Sequence, residues 1–328
     1  MIRFGIVGTN WITEKLLDAA QHVEQFELSC IYSRTKERAE EFAEKYHVNS
    51  IYTELEEMAK SPELDAVYIA SPNSFHADQA KLFMENGKHV LCEKPIASNT
   101  YEVKDMINTA RKNGVLLMEA MKSTFHPTFL SVKENLHKIG KVRRFIGSYS
   151  QYSSRYDAYK EGTVLNAFKP ELSNGALMDI GVYCLYPAIA LFGKPNRIKA
   201  DGMLLETGAD GEGSIILGYE ELDAVAMYSK IADSNLPSEI QGENGSITID
   251  RISSPFKAVI HYRDGRMEDI SVPQMENTMV YEAREFVRLI QEGQLESSIN
   301  THELSVSVME TMDEARKQMG IFYPSDKI

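Results

Sequence analysis

Lys94 closes the stretch G-K-H-V-L-C-E-K-P, where an apolar run ends in a carboxylate, an ammonium and a proline. A lysine in such a place is partly desolvated, and a ligand beside it tunes its pKa toward values useful for polarising a carbonyl oxygen. Far downstream, N-G-A-L-M-D-I-G-V-Y-C-L sets Asp179 and Tyr183 four residues apart, on one face if the segment is helical. A tyrosine gives a proton to a carbonyl when a nearby ammonium lowers its pKa, and Asp179 would orient either that donor or Lys94. The plainer alternative is a buried tyrosine with a satisfied hydroxyl. Lys94, Asp179 and Tyr183 form the candidate catalytic set.

A redox cofactor would complete such a set, and R-F-G-I-V-G-T-N-W-I-T, residues 3 to 13, is where one would bind. It has the outline of the dinucleotide turn G-x-G-x-x-G, with Asn10 and Thr13 in place of the second and third glycines. Gly8 keeps the tight turn, and Asn is the next-best residue where φ must be positive. Thr13 is expected to loosen helix packing slightly while leaving the amides of the helix N-terminus to face phosphate. A plain βα turn stays open as the alternative. The candidate contacts here are Gly8, Thr9, Asn10, Trp11 and Ile12.

NAD-binding turns place an acidic residue after the second strand, but this chain has Ser33, Arg34, Thr35 and Lys36, followed by Arg38. A hydroxyl beside a guanidinium suits a 2′-phosphate, so NADP(H) is favoured, with NAD(H) left open. I-A-S-P-N-S-F-H adds Ser71, Pro72, Asn73 and His76, and Glu93 joins Lys94, all near carboxyl ends of expected parallel strands. No metal-ligand cluster and no G-x-S-x-G elbow competes with this reading, so no metal site is expected.

The elements that must hold these residues fall into two grammars. Apolar strand-like runs at Ile2–Val7, Phe26–Tyr32, Ala66–Ala70, His89–Cys92 and Val115–Glu119 alternate with helical segments, as in Lys36–Tyr46. That pattern predicts a doubly wound α/β domain with a parallel sheet over residues 1–122. Ser74 is a suitable N-cap for the helix beginning near His76. From 123 to 328 the chain reads as an α+β domain on an antiparallel sheet: a helix near Pro127–Lys138, a strand near Val142–Tyr152, several strands from Arg197 to Ile270, and closing helices Thr278–Glu292 and Thr301–Met319. The long polar connection from Ser153 to Gly175 is of a kind that is usually disordered or functional.

A net charge of -13 opposes nucleic acid and anionic membrane as partners but does not forbid a small-molecule ligand that bears phosphate, because a local pocket can be basic on an acidic protein. Cys30, Cys92 and Cys184 are scattered among apolar neighbours, as buried thiols of a cytoplasmic protein would be. Met1 leads straight into a strand-like run, and no signal core or membrane span is expected.

These residues together resemble the glucose–fructose oxidoreductase, inositol dehydrogenase and MocA family over nearly the whole chain. The carriers are G-I-V-G-T-N-W-I, Y-S-R, A-S-P-N-S-F-H, G-K-H-V-L-C-E-K-P, M-E-A-M-K-S-T-F-H-P, G-A-L-M-D-I-G-V-Y and I-Q-G-E-N-G-S-I. The resemblance implies a Rossmann domain followed by a large, open-faced, mainly antiparallel sheet used for homodimer or homotetramer contacts. It also implies reversible hydride transfer between a nicotinamide cofactor and a carbinol carbon of a sugar, polyol or diol. Lys94 matches the family's E-K-P lysine, and its bond to Pro95 is implied to be cis. Where many relatives carry His, Tyr183 is more similar to glucose–fructose oxidoreductase and the dimeric dihydrodiol dehydrogenases. Thr124 stands where relatives often have Arg, which bears on the substrate. The rival reading is a redox sensor that binds NADP(H) without turnover, and a third is a retained cofactor recycled between two substrates.

Overall fold

The computed structural model describes residues 1–326, in two compact units: Met1–Met121 with Met275–His302, and Lys122–Gln274 with Glu303 onward. The first unit holds β1 (Ile2–Val7), β2 (Phe26–Tyr32), β3 (Ser50–Tyr52), β4 (Ala66–Ile69), β5 (His89–Glu93) and β6 (Leu117–Ala120). They make one parallel sheet in the order β3-β2-β1-β4-β5-β6. β2 and β3 lie to one side of β1, and β4 to β6 to the other. The winding therefore reverses beside β1, at the switch point where open α/β sheets take ligands. In register, Val7 faces Ile69 and Ile69 faces Cys92, so Gly8, Ala70 and the Glu93-Lys94 pair leave the sheet along one edge.

Burial on both faces explains the apolar strand runs: Ala66, Val67, Tyr68 and Ile69 of β4 are all buried. β3 and the short helix Leu55–Ala59 were not expected, since three to five residues are too few to display a period. Ser74 is not an N-cap. Asn73–Phe75 forms a 3₁₀ turn that runs directly into the helix His76–Glu85, and Ser74 Oγ has no hydrogen-bond partner among the described residues. A capping pair does start the helix Thr100–Asn113: Asn99 Oδ1 accepts from Glu102 N at 3.0 Å, and the Glu102 carboxylate accepts from Ser98 N at 2.8 Å.

A contiguous division near residue 122 leaves out one feature, the return of Met275–His302 to the first unit. The helix Met279–Gln291 packs on the helix Trp11–Ala20, with Phe286 and Phe4 rings 5.8 Å apart. Asn300 Nδ2 donates to the carbonyls of Glu119 and Met121 at 3.2 and 3.1 Å, tying the segment to the end of β6.

The second unit carries β7 (Val142–Ser150), β8 (Arg197–Leu204), β9 (Asp210–Gly218), β10 (Asp223–Ser229), β11 (Ser238–Gly242), β12 (Gly245–Ile249), β13 (Ala258–Tyr262) and β14 (Met267–Asp269). The order is β14-β13-β12-β11-β7-β10-β9-β8, and every neighbouring pair is antiparallel except β7 with β10. The helix Val182–Phe192 packs on β7 and β10. Pro170–Phe192 is the one stretch among the described residues long and apolar enough to cross a membrane, and most of it is buried inside the unit. The sheet's other face bears a cross-strand row in which Val225 pairs with Ile216 and with Ile146.

The connection from Ser153 to Gly175 is ordered around a small core of its own. It forms the helix Ser154–Lys160 and two 3₁₀ turns, and Ala167 and Phe168 pack with Leu205 and Ala209 against Tyr156, Tyr159 and Val164.

Candidate active site

Gly8 turns the chain at the end of β1 with φ at +106°, and a Cβ there would lie 2.7 Å from the Ala70 carbonyl oxygen, so only glycine fits. Asn10 does not take the positive φ expected of it. Its φ is −106° and it is the N-cap of the helix Trp11–Ala20: Oδ1 accepts from Ile12 N at 3.0 Å and Thr13 N at 3.3 Å. Those two amides are thus engaged by Asn10 rather than left facing a phosphate. Asn10 Nδ2 meanwhile donates to the Ala70 carbonyl at 2.7 Å, linking the ends of β1 and β4. Thr13 tightens the packing it was expected to loosen, being fully buried with its hydroxyl donating to the Gly8 carbonyl at 2.7 Å. Trp11, the chain's single tryptophan, is 58% exposed beside the turn.

After β2, Ser33 is nearly buried and donates its N–H to the Tyr52 carbonyl at 3.1 Å, while Arg34 is exposed. Arg38 turns inward to the glycine turn, donating to the Thr9 carbonyl at 2.9 Å and hydroxyl at 3.3 Å, with Glu41 on its far side at 2.6 Å. Its charge therefore braces the turn, and Arg34 is the guanidinium that projects into solvent.

Ser71 follows β4 and donates from Oγ to Gln79 at 2.7 Å; Pro72 and Asn73 carry the chain into the 3₁₀ turn. His76 is buried, with Nε2 2.8 Å from the Ser71 carbonyl and Nδ1 3.0 Å from the Pro95 carbonyl. Burial lowers its pKa, against the two carbonyls and with help from the Lys94 charge, so the ring is neutral and donates to one of them. His76 joins the β4 and β5 loops through their main chains. Glu93 is buried and accepts from the Tyr68 hydroxyl, and Lys94 is half-buried with a cis bond to Pro95. Ile96 N donates to Glu119 at 3.1 Å, so main-chain contacts at Pro95 and Ile96 fix the segment that carries Lys94.

In the second unit Asp179 lies in a π-helical turn, Leu177–Gly181, that leads into the helix carrying Tyr183. Such wide turns recur at functional sites. A Cβ on Gly181 would sit 2.9 Å from the Tyr228 ring, so glycine lets the turn lie against β10. The Asp179 carboxylate accepts from Lys230 Nζ, a partner the sequence did not suggest. Tyr183 is half-buried with its ring 5.8 Å from that of Tyr149, edge to face. Asp210 begins β9 fully buried and accepts from Leu177 N at 2.6 Å, closing the start of the π turn. Burial pushes its carboxyl up to about 6, opposed by the Leu177 amide and the Lys230 charge.

Lys230 and Asp210 gave little signal in advance. A lysine after an alternating strand reads as solvent-facing, and A-D-G reads as a surface turn. The remaining site residues lie in the two units separately: Gly8 to Ile12, Ser33, Arg34, Arg38, Ser71 to Asn73, His76, Glu93 and Lys94 in the first, Asp179 and Tyr183 in the second.

A glycine turn at the switch point, a hydroxyl and a guanidinium after β2 and a lysine held at the end of β5 define a dinucleotide-dependent oxidoreductase. The residues present fit such a cofactor: the tight Gly8 turn lies at the switch point, and after β2 the Ser33 hydroxyl and the exposed Arg34 guanidinium stand where a 2′-phosphate would be met. Residues 2–121 match the oxidoreductase family with NAD-binding Rossmann fold, and residues 132–248 match the GFO/IDH/MocA C-terminal domain. The chain is 59% identical over 327 residues to the scyllo-inositol 2-dehydrogenase (NADP(+)) IolU of Bacillus subtilis, covering 100% of both chains. It is 32% identical to the trans-1,2-dihydrobenzene-1,2-diol dehydrogenase of Danio rerio, covering 99% of each. The solved structure of KijD10, a 3-ketoreductase from Actinomadura kijaniata in complex with NADP and TDP-benzene, has the same fold, with a TM-score of 0.85 and 24% identity over 97% of this chain and 98% of that one. The chain belongs to the GFO/IDH/MocA oxidoreductase family, and it is an enzyme acting on CH–OH groups.

Proposed function

We propose that the protein is an NADP(H)-dependent dehydrogenase of a cyclic polyol, with scyllo-inositol as the leading substrate. The observation that carries this reading is the placement of Lys94 on the same sheet edge as the Gly8 turn. The 59% identity to a scyllo-inositol dehydrogenase directs the choice within sugars, polyols and diols. Exposed Arg34 and the Ser33 hydroxyl, where NAD-binding turns have a carboxylate, favour the 2′-phosphate of NADP(H).

The nicotinamide supplies the acceptor or donor of hydride. Lys94 holds the carbinol oxygen and stabilises negative charge on it, Tyr183 moves the proton at its Oη, and Asp179 fixes the geometry of that acid–base group. Asn10 and Arg38 act earlier, by fixing the turn that receives the pyrophosphate. Three buried thiols suit the reducing cytoplasm. The row Ile146, Val225 and Ile216, with Ile216 48% exposed, suits a second copy of this chain, giving a homodimer or homotetramer measurable by sedimentation.

The test is a titration with NADPH and NADH read by Trp11 fluorescence, then turnover with scyllo-inositol, myo-inositol, aldoses and trans-diols in the presence of NADP+. Oxidation of a cyclic polyol that Lys94→Met abolishes, with NADPH binding kept, supports the proposal. Tight NADPH binding without turnover across the panel replaces it with the sensor reading.

A further inference from the structure

We propose that Lys230 is a positioning residue for the acid–base group, holding Asp179 and through it the π turn that leads to Tyr183. The inference rests on the dehydrogenase reading above. Lys230 leaves the end of β10 with its main chain pinned on both sides: its N–H donates to the Gly211 carbonyl at 2.8 Å and its carbonyl accepts from Ser153 N at 2.9 Å. Its side chain is only 4% exposed. A buried ammonium is costly unless a counter-charge and further contacts meet it. Asp179 supplies the charge, and the Phe168 ring lies 5.3 Å from Nζ.

The location gives the pair its purpose. A π turn has looser backbone bonding than an α-helix, and this one is held at its start by Asp210, at its middle by Lys230 and at its end by close packing of Gly181 on Tyr228. Phe168 belongs to the small core that orders the Ser153–Gly175 connection. One cation therefore anchors both that connection and the carboxylate beside the proposed proton donor. A purely structural lysine would leave kcat unchanged in a folded variant; a positioning lysine would not.

The experiment measures kcat, KM and NADPH affinity for wild type, Lys230→Met, Lys230→Arg, Asp179→Asn and the Lys230→Met/Asp179→Asn double variant, each shown to be folded by its thermal transition. Met keeps the packing on Phe168 without the charge, whereas Arg keeps the charge. Expected are a kcat loss of about 10- to 100-fold for Lys230→Met, largely restored by Arg, with NADPH affinity unchanged. The double variant should be no slower than the slower single, since both changes break one unit. A folded Lys230→Met with kcat within about twofold of wild type, an Arg variant no better than Met, or multiplying effects in the double variant overturns the inference alone. Absence of turnover in the wild type overturns the dehydrogenase reading, and this inference with it.

Discussion

Asn10 Nδ2 lies 2.7 Å from the Ala70 carbonyl oxygen, so one side chain joins the carboxyl ends of the two strands that flank the switch point while capping the first helix. Asn10→Ala should lower stability by about 1–2 kcal/mol through loss of the cap. NADPH should also bind more weakly, because the turn is no longer tied to β4. Chemical denaturation and Trp11 fluorescence measure the two effects, and a variant matching wild type in both would deny Asn10 this role.

Arg34 and Arg38 separate into different tasks. Exposed Arg34 is assigned to the 2′-phosphate, so Arg34→Ala should weaken NADPH about 10- to 100-fold and leave NADH unchanged, as expected for one charge-assisted contact. Arg38 touches Thr9 instead, so Arg38→Ala should weaken both cofactors to a similar degree. Equal losses for the two cofactors in Arg34→Ala would remove the 2′-phosphate assignment.

Much of this was legible in the residues. The strand runs of the first unit and the E-K-P segment pointed to the sheet edge on which Lys94 lies, because buried parallel strands and their carboxyl ends leave local marks. Asn10 was assigned the right place and the wrong conformation: the short polar side chain that tolerates positive φ is also a favoured N-cap, and only the tertiary neighbour Ala70 decides between them. His76 was expected to face the cofactor, yet both its nitrogens face loop carbonyls. Lys230, Asp210 and the return of Met275–His302 depend on contacts between distant segments and carry no periodic mark.

Gly181 tests the packing of the π turn. A methyl group there meets the Tyr228 ring at 2.9 Å, and Tyr228 is buried beneath it, so neither side yields freely. Gly181→Ala should cost about 1–3 kcal/mol, as overpacked sites do. If the turn shifts to relieve the contact, kcat falls while NADPH affinity, set in the other unit, is kept. Urea unfolding with parallel kinetics reads both, and unchanged stability would mean that the contact relaxes without consequence.

Asp210 makes the stability depend on pH in a direction opposite to most carboxylates. Its folded value near 6 lies above the ordinary 3.8, so the folded state binds more protons than the unfolded state between those values. The stability it contributes is complete below about pH 4 and is lost as pH rises through 6. A difference of about two pH units corresponds to a loss of up to about 3 kcal/mol by pH 7. Asp210→Asn retains an oxygen to accept from Leu177 N but cannot ionise, so it should gain on wild type mainly between pH 4 and pH 6 and level off by pH 7. Unfolding free energies of the two proteins across that range are the measurement. Parallel curves would show that Asp210 is already ionised at low pH, held so by the Leu177 amide and Lys230.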